Sequence, residues 1–263
     1  MRILHVSDLH GSTKAFELTK RLYRELGADL LIVSGDLTGK CVCNLDSVCK
    51  CVWGRRKDLS MGRDKFEASG GYVVDASNRE IEARAPGLLA KAAHDRVKQW
   101  LESLHDINYF VIAGNVDHWL MNEALKEASK PMDFRGLRID GCSLVPYTPF
   151  GTYREGSEED VWECLPHEAD ILVSHTPPRG VVDVSNYHGG GHVGSTSVRK
   201  WIEEKQPLLS LHGHIHESRG YGKIGRTVVV NPGSEAEWGK LYFAIIDLEG
   251  DHVEVKLGER EYY

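Results

Sequence analysis

Residues 1–10, MRILHVSDLH, run from an apolar strand straight into Asp8-Leu9-His10. Residues 2–7 read as a buried strand, the kind found in sheets covered on both faces. The next element opens at Ser12, a favourable N-cap. It places Ala15, Leu18, Leu22 and Leu26 on one helical face, and Gly27 suits its C′ position. A second buried strand over 29–33 ends at Ser34-Gly35-Asp36. A long helical pattern through Leu88, Leu89, Ala92, Val97, Leu101 and Leu104 then leads to a third strand over 109–113. Strands alternating with helices predict a parallel sheet with helical crossovers.

Beyond Pro131 the pattern becomes mainly β, with strands expected over 137–144, 170–174, 207–211, 227–231, 240–248 and 252–257, and one helix over 195–205. Residues 211–216, LHGHIH, carry His212, His214 and His216 at alternate positions. In an extended chain these share one face, a concentration of imidazole that usually holds a metal. Metal-capable side chains follow the other strands too: Asp8 and His10 the first, Asp36 the second, Gly114-Asn115 with Asp117 the third, and His175 the run ILVS. Taken singly, each is commonly structural: Gly-Asp and Gly-Asn make turns, and a lone histidine bonds a carbonyl. Taken together, five strand ends of this kind should converge, because open α/β sheets bind ligands beyond the carboxyl ends of their strands.

The chain of 263 residues is expected to form one domain, 41% hydrophobic and 27% charged, with a net charge of −7 that argues against a nucleic-acid partner. The first residues are expected to leave no room for a signal peptide, and no apolar run nears the length of a membrane helix. The expectation is a soluble cytoplasmic protein with no membrane partner, and its six cysteines are then expected to be reduced. Residues 40–85 break the α/β pattern and read as an insertion. Within it, Cys41, Cys43, Cys49 and Cys51 could surround a structural Zn²⁺, or could lie on two strands of a hairpin turning at 44–47. The basic run 54–65 is expected to be a solvated face, and the acidic run 155–160 an exposed loop.

The order Asp8-x-His10, Gly35-Asp36, Gly114-Asn115-x-Asp117, His175 and Gly213-His214-x-His216 resembles the calcineurin-like metallophosphoesterase family. The segment NPGS at 231–234 is similar to the closing strand of its small phosphodiesterase branch. The resemblance implies an α/β fold, a four-layer α-β-β-α sandwich of the metallo-dependent phosphatase kind. It implies one divalent ion held by Asp8, His10, Asp36 and His216, and a second by Asp36, Asn115, His175 and His214, with Asp36 bridging. Carboxylate, amide and imidazole ligands suit Mn²⁺, Fe or Zn²⁺. Two such ions about 3.5 to 4 Å apart would bring a shared water to a pKa of about 7, and that bridging hydroxide would attack the phosphorus. His212 is expected to be a structural neighbour.

The chain departs from the family at Val116, where many members have the histidine that protonates the leaving group. His118 is one substitute. Another lies in YHGGGHVGST, 187–196, where His188 or, preferably, His192 could donate to a phosphate oxygen or the leaving group beside the helix start capped by Ser195. Asn115 and His192 are accordingly expected to touch substrate. The reading is a dinuclear-metal phosphoesterase acting on a small phosphorylated substrate, more a phosphodiesterase than a monoesterase, because the missing histidine handicaps poor leaving groups. The alternatives are a nuclease of the same family and a retromer-type protein-binding scaffold. The complete ligand set argues against the scaffold.

Overall fold

The N-terminal strand is β1 (Arg2–Val6), and in the computed structural model, which describes residues 1–54, 56–186 and 190–262, it is the central strand of a five-stranded sheet. It is followed by α1 (Thr13–Glu25) and β2 (Leu30–Ser34). Short elements come next: β3 (Cys41–Asn44), β4 (Cys49–Cys51), α2 (Arg63–Ala68) and β5 (Gly71–Val74). The long helix α3 (Asn78–Glu102) leads into β6 (Tyr109–Ile112) and a single turn, α4 (Met121–Ala124). The predicted cap of α1 is present, with Ser12 Oγ accepting from Ala15 N at 3.1 Å and Gly27 left-handed at φ 59° just beyond the helix. α3 starts earlier than the apolar periodicity suggested. It opens with a Ser77/Glu80 capping box and is broken at Arg84 (φ −135°), two residues before Pro86.

The second half contains β7 (Met132–Phe134), β8 (Leu137–Cys142), β9 (Val145–Pro146), β10 (Glu155–Gly156), α5 (Glu158–Cys164) and β11 (Ile171–Ser174). It continues with β12 (Val184–Ser185), β13 (Gly191–His192), α6 (Thr196–Lys205), β14 (Leu209–Leu211), β15 (Gly220–Ile224), β16 (Thr227–Asn231), β17 (Lys240–Glu249) and β18 (His252–Glu261). The first sheet has the order β18-β17-β1-β2-β6, with β1, β2 and β6 parallel. The second has the order β15-β16-β14-β11-β8-β7, with β8, β11, β14 and β16 parallel. All the predicted strands form. The strand β15 was not foreseen, because GYGKI has no alternation to read.

Three apolar clusters identify four layers. Leu18, Leu22, Leu89 and Val97 pack helices α1 and α3 on the outer face of the first sheet. Ile3, Ile32, Phe110, Val173, Leu211 and Val230 fill the space between the sheets. Leu172, Val198, Trp201 and Val229 join the second sheet to α5 and α6. The fold is therefore the expected α-β-β-α sandwich, and it arises because the inner strands β1, β2, β11, β14 and β16 are buried on both faces.

Two expectations are corrected. Residues 155–160 are no exposed loop, since they form β10 and the first turn of α5, capped by Ser157 and Asp160. The cysteines are neither reduced nor arranged for zinc. Cys41 pairs with Cys51, Cys43 with Cys49, and Cys142 with Cys164, leaving no free thiol among the described residues. The reason is register: β3 and β4 are antiparallel with Cys41 opposite Cys51 and Cys43 opposite Cys49, at Cα separations of 3.9 and 4.1 Å. Each sulfur meets its own partner across the ladder, so the four never surround one point. No helix among the described residues is long and apolar enough to cross a membrane.

Candidate metal centre

Asp8 lies two residues beyond β1, Asp36 two beyond β2, Asn115 three beyond β6, His175 directly after β11 and His214 three beyond β14. Parallel strands put all these ends on one edge of the two sheets. The loops are then tied together through the backbone. Asp8 N donates to Gly35 O at 2.9 Å, His10 N to Asp36 O at 2.9 Å and Gly213 N to His175 O at 3.0 Å. Eight described non-glycine residues have positive φ, and four of them are Asp8 (54°), His10 (44°), Asp36 (51°) and His214 (66°). Left-handed backbone is unfavourable for such residues, and its concentration here means that packing forces it in order to aim these side chains. Gly213 serves the same end by close approach: a Cβ there would lie 1.8 Å from Ser7 Oγ and 2.4 Å from Asp8 Oδ2.

The seven predicted side chains meet in two groups that share Asp36. Ligand atoms of Asp8, His10, Asp36 and His216 all lie within 4.8 Å of one another. His10 Nε2 is 3.0 Å from His216 Nε2, and His216 Nε2 is 3.2 Å from Asp8 Oδ1. On the other side, Asn115 Oδ1 is 3.0 Å from both His175 Nε2 and His214 Nδ1, and His175 Nε2 is 3.3 Å from Asp36 Oδ1. Asp8, His10, Asp36, Asn115 and His175 are buried, while His214 and His216 are half-buried and open toward solvent.

These residues fit a cation by three observations. Asp8 Oδ1 is buried without a hydrogen-bond partner, which is unfavourable for a carboxylate unless another charge faces it. The ring nitrogens of His10 and His216 point at each other, a pairing that makes sense when both lone pairs face a cation. The tautomers are also set for it: His175 Nδ1–H donates to Ser34 O at 2.7 Å and leaves Nε2 free to ligate.

Protonation tells the same story. Burial pushes the His175 imidazole down, but the charge and contact of Asp36 outweigh it and lift the ring to about 9. His216 is likewise depressed by burial and raised further by Asp8. Burial pushes the Asp8 carboxyl up, and the surrounding His216, His175 and His10 bring it below the usual carboxylate range. His10 and His214 are both lowered to about 4, chiefly by burial and then by the neighbouring cations Lys40 and His175 respectively. Protons on His175 and His216 thus stand where metal charge would replace them.

Other residues support the seven, and Asp117, grouped with the metal-capable side chains in the sequence, is one of them. Asp117 is a clamp: its carboxylate accepts from Leu37 N, Thr38 N and Gly114 N at 3.1, 2.8 and 2.8 Å and so joins the second and third loops. Asn115 Nδ2 donates to Thr152 Oγ1 at 2.8 Å, and Thr152 is bonded in turn to Glu155. This chain turns the Asn115 carbonyl oxygen toward His175 and His214. Asn231 of NPGS donates to Gly213 O and Ile215 O and braces the histidine loop. His212 contacts only structure: Nδ1 faces Ser174 O and Thr176 O, and Nε2 faces Ser210 Oγ. Lys40 and Lys57 both meet the largely buried Glu237, at 2.6 and 3.1 Å. Lys57, from the basic run expected to be solvated, is therefore an anchor, while Arg56 and Lys65 of that run line a cleft of about 600 Å³ beside Trp238.

Val116 is buried, and its N–H donates to Asp36 Oδ1 at 3.0 Å. His192 is half exposed and has its Nδ1 2.6 Å from the buried Asp183; the structure brings it into contact with none of the seven residues. The α6 N-terminus beside it is already occupied, because Glu158 accepts from Thr196 N at 2.9 Å and Ser197 N at 3.0 Å. A phosphate has no place there, contrary to expectation. His188 lies outside the described residues. His118 is half-buried, accepts from Leu120 N through Nδ1 and so presents Nε2–H when neutral.

Comparison with known proteins gives a consistent picture. The sequence profile described as calcineurin-like phosphoesterase matches residues 1–218. An uncharacterized protein of Methanocaldococcus jannaschii is 34% identical over 134 residues, which cover 46% of this chain and 62% of that protein. Metallophosphoesterase domain-containing protein 1 of Homo sapiens is 33% identical over 101 residues, covering 37% of this chain and 31% of that protein. The chain thus spans less than two thirds of the length of either relative. Among solved structures, a dimetal phosphatase from Danio rerio superposes with a TM-score of 0.55 at 12% identity, over 98% of this chain and 95% of that one. A protein of Thermus thermophilus does so with 0.52 at 16% identity, over 97% of each chain. Both likenesses are of fold.

Proposed function

The chain belongs to the calcineurin-like phosphoesterase family, and from that premise we propose that it is a dinuclear-metal hydrolase of small phosphodiesters. The observation that carries the reading is the meeting of seven ligand-type side chains in two groups that share Asp36, one of them enclosing the buried Asp8 Oδ1, which faces His216 Nε2 at 3.2 Å and has no hydrogen-bond partner among the described residues. Asp8, His10, Asp36 and His216 would hold one divalent ion, and Asp36, Asn115, His175 and His214 the other, with Mn²⁺, Fe or Zn²⁺ matching these donors. When bound, such a pair acidifies water and neutralises the charge of an in-line displacement at phosphorus.

The protein's own part is orientation and proton supply. Ser34 O fixes the His175 tautomer, and Thr152 with Glu155 fixes the Asn115 amide. Val116 supplies no proton, so a second ester group that leaves readily is favoured over a poor alkoxide. Two imidazoles are proposed as donors. His192 has its Nδ1 engaged by Asp183, and His118 has Nε2–H beside the Asn115 loop. The acidic balance supports a small substrate over nucleic acid. Protein reconstituted with each divalent metal should hydrolyse bis-p-nitrophenyl phosphate faster than p-nitrophenyl phosphate. Folded protein that cleaves neither with any metal would overturn the proposal. The donor is the histidine whose change to glutamine slows a poorer leaving group about a hundredfold while p-nitrophenolate release suffers less.

A further inference from the structure

Three aromatic side chains from distant segments meet beside Asn115. The Trp53 and Tyr153 rings lie 4.8 Å apart at 85°, and those of His118 and Tyr153 lie 4.7 Å apart at 83°. All three are half-buried. Edge-to-face contacts of this kind fix ring positions without enclosing the rings. The cluster is attached directly to the metal centre: Tyr153 N donates to Asn115 O at 3.0 Å, and the preceding Thr152 holds the Asn115 side chain. Trp53 is placed with equal care. Cys51, two residues earlier, is bonded to Cys41, and Val52 N donates to Lys40 O at 2.8 Å. The cysteine-containing segment therefore delivers a tryptophan to the rim of the site.

From this we infer that Trp53 and Tyr153, backed by His118, form a wall that receives a planar aromatic group of the substrate on the Asn115 side of the centre. The inference rests on the phosphodiesterase reading and narrows it to esters with a flat aromatic substituent, whose stable oxyanion suits a site with Val116 in the proton-donor position. A half-exposed aromatic surface beside a polar centre gains most by stacking on a flat ring, which sheds water from both partners.

Phosphonates test the wall without turnover, because their carbon–phosphorus bond is not cleaved. With Mn²⁺ present, phenylphosphonate should bind about tenfold more tightly than methylphosphonate, as stacking on one aromatic surface would provide. The change Trp53→Ala should bring that ratio to within about twofold, and Tyr153→Leu should act in the same direction if the first variant folds poorly. A wild-type ratio near one, a ratio that survives both substitutions, or binding of neither phosphonate would overturn the wall. Hydrolysis of bis-p-nitrophenyl phosphate by the same preparation reports on the phosphodiesterase reading separately.

Discussion

The loops that carry the metal-type side chains and the segment over 40–85 sit side by side and are held by different forces. The loops grow from strands buried on both faces, and they are locked by backbone bonds among Asp8, Gly35, His10, Asp36, Gly213 and His175. Four left-handed residues are tolerated there because the packing permits no relaxation. The neighbouring segment reaches the core through Val42, Tyr72 and Ile81 and has a small buried cluster of Cys41, Cys43 and Phe66, but its rim strand β4 has half-buried or exposed side chains and is held by two disulfides. The centre is thus maintained by core packing and backbone bonds, while the rim at β4 depends chiefly on covalent ties. The two should therefore fail under different perturbations.

The largest effect should follow Asp36→Asn. Asparagine keeps the shape and can still accept from Val116 N, but it removes the charge that both halves of the centre share. Metal content should fall and diester hydrolysis drop to background while the circular-dichroism spectrum is unchanged. Two ions per chain in an active variant would break the assignment. A smaller loss, about tenfold in metal affinity or turnover, is expected for Thr152→Val, which frees the Asn115 amide to turn. Metal titration measures it, and no change would mean that the amide is oriented from elsewhere.

The smallest effect on the centre, and the sharpest on the contrast, should come from replacing Cys41 and Cys51 together by serine. Loss of a disulfide typically lowers stability by about 2–4 kcal/mol, and here the loss should be local. Limited proteolysis should cut faster within residues 45–60, and phenylphosphonate should lose its advantage, while metal content stays the same. A parallel fall in metal content would show that the two regions are one cooperative unit.

Most of the centre was legible in the chain because each metal-type residue directly follows a strand that its own apolar composition reveals. Asp8 after ILHV and His175 after ILVS need no knowledge of the rest of the molecule. Thr152 and Glu155 were illegible for the opposite reason: they act on Asn115 from 37 and 40 positions away, within a stretch lacking any period. Glu158 at the start of α6 was hidden likewise, and so the vacant anion site expected beside His192 does not exist.

Taken alone, the amino-acid order determined the main strands and the chemistry gathered at their ends, since side-chain periodicity and strand-end residues are local properties, while the two-sheet sandwich followed from the family resemblance that those residues carry. Only the tertiary structure decided which cysteines pair, which carboxylate fills a helix start, and which tryptophan stands beside Asn115. Those outcomes depend on strand register and on contacts between distant segments. Such contacts exist only once the core has set the distances between them.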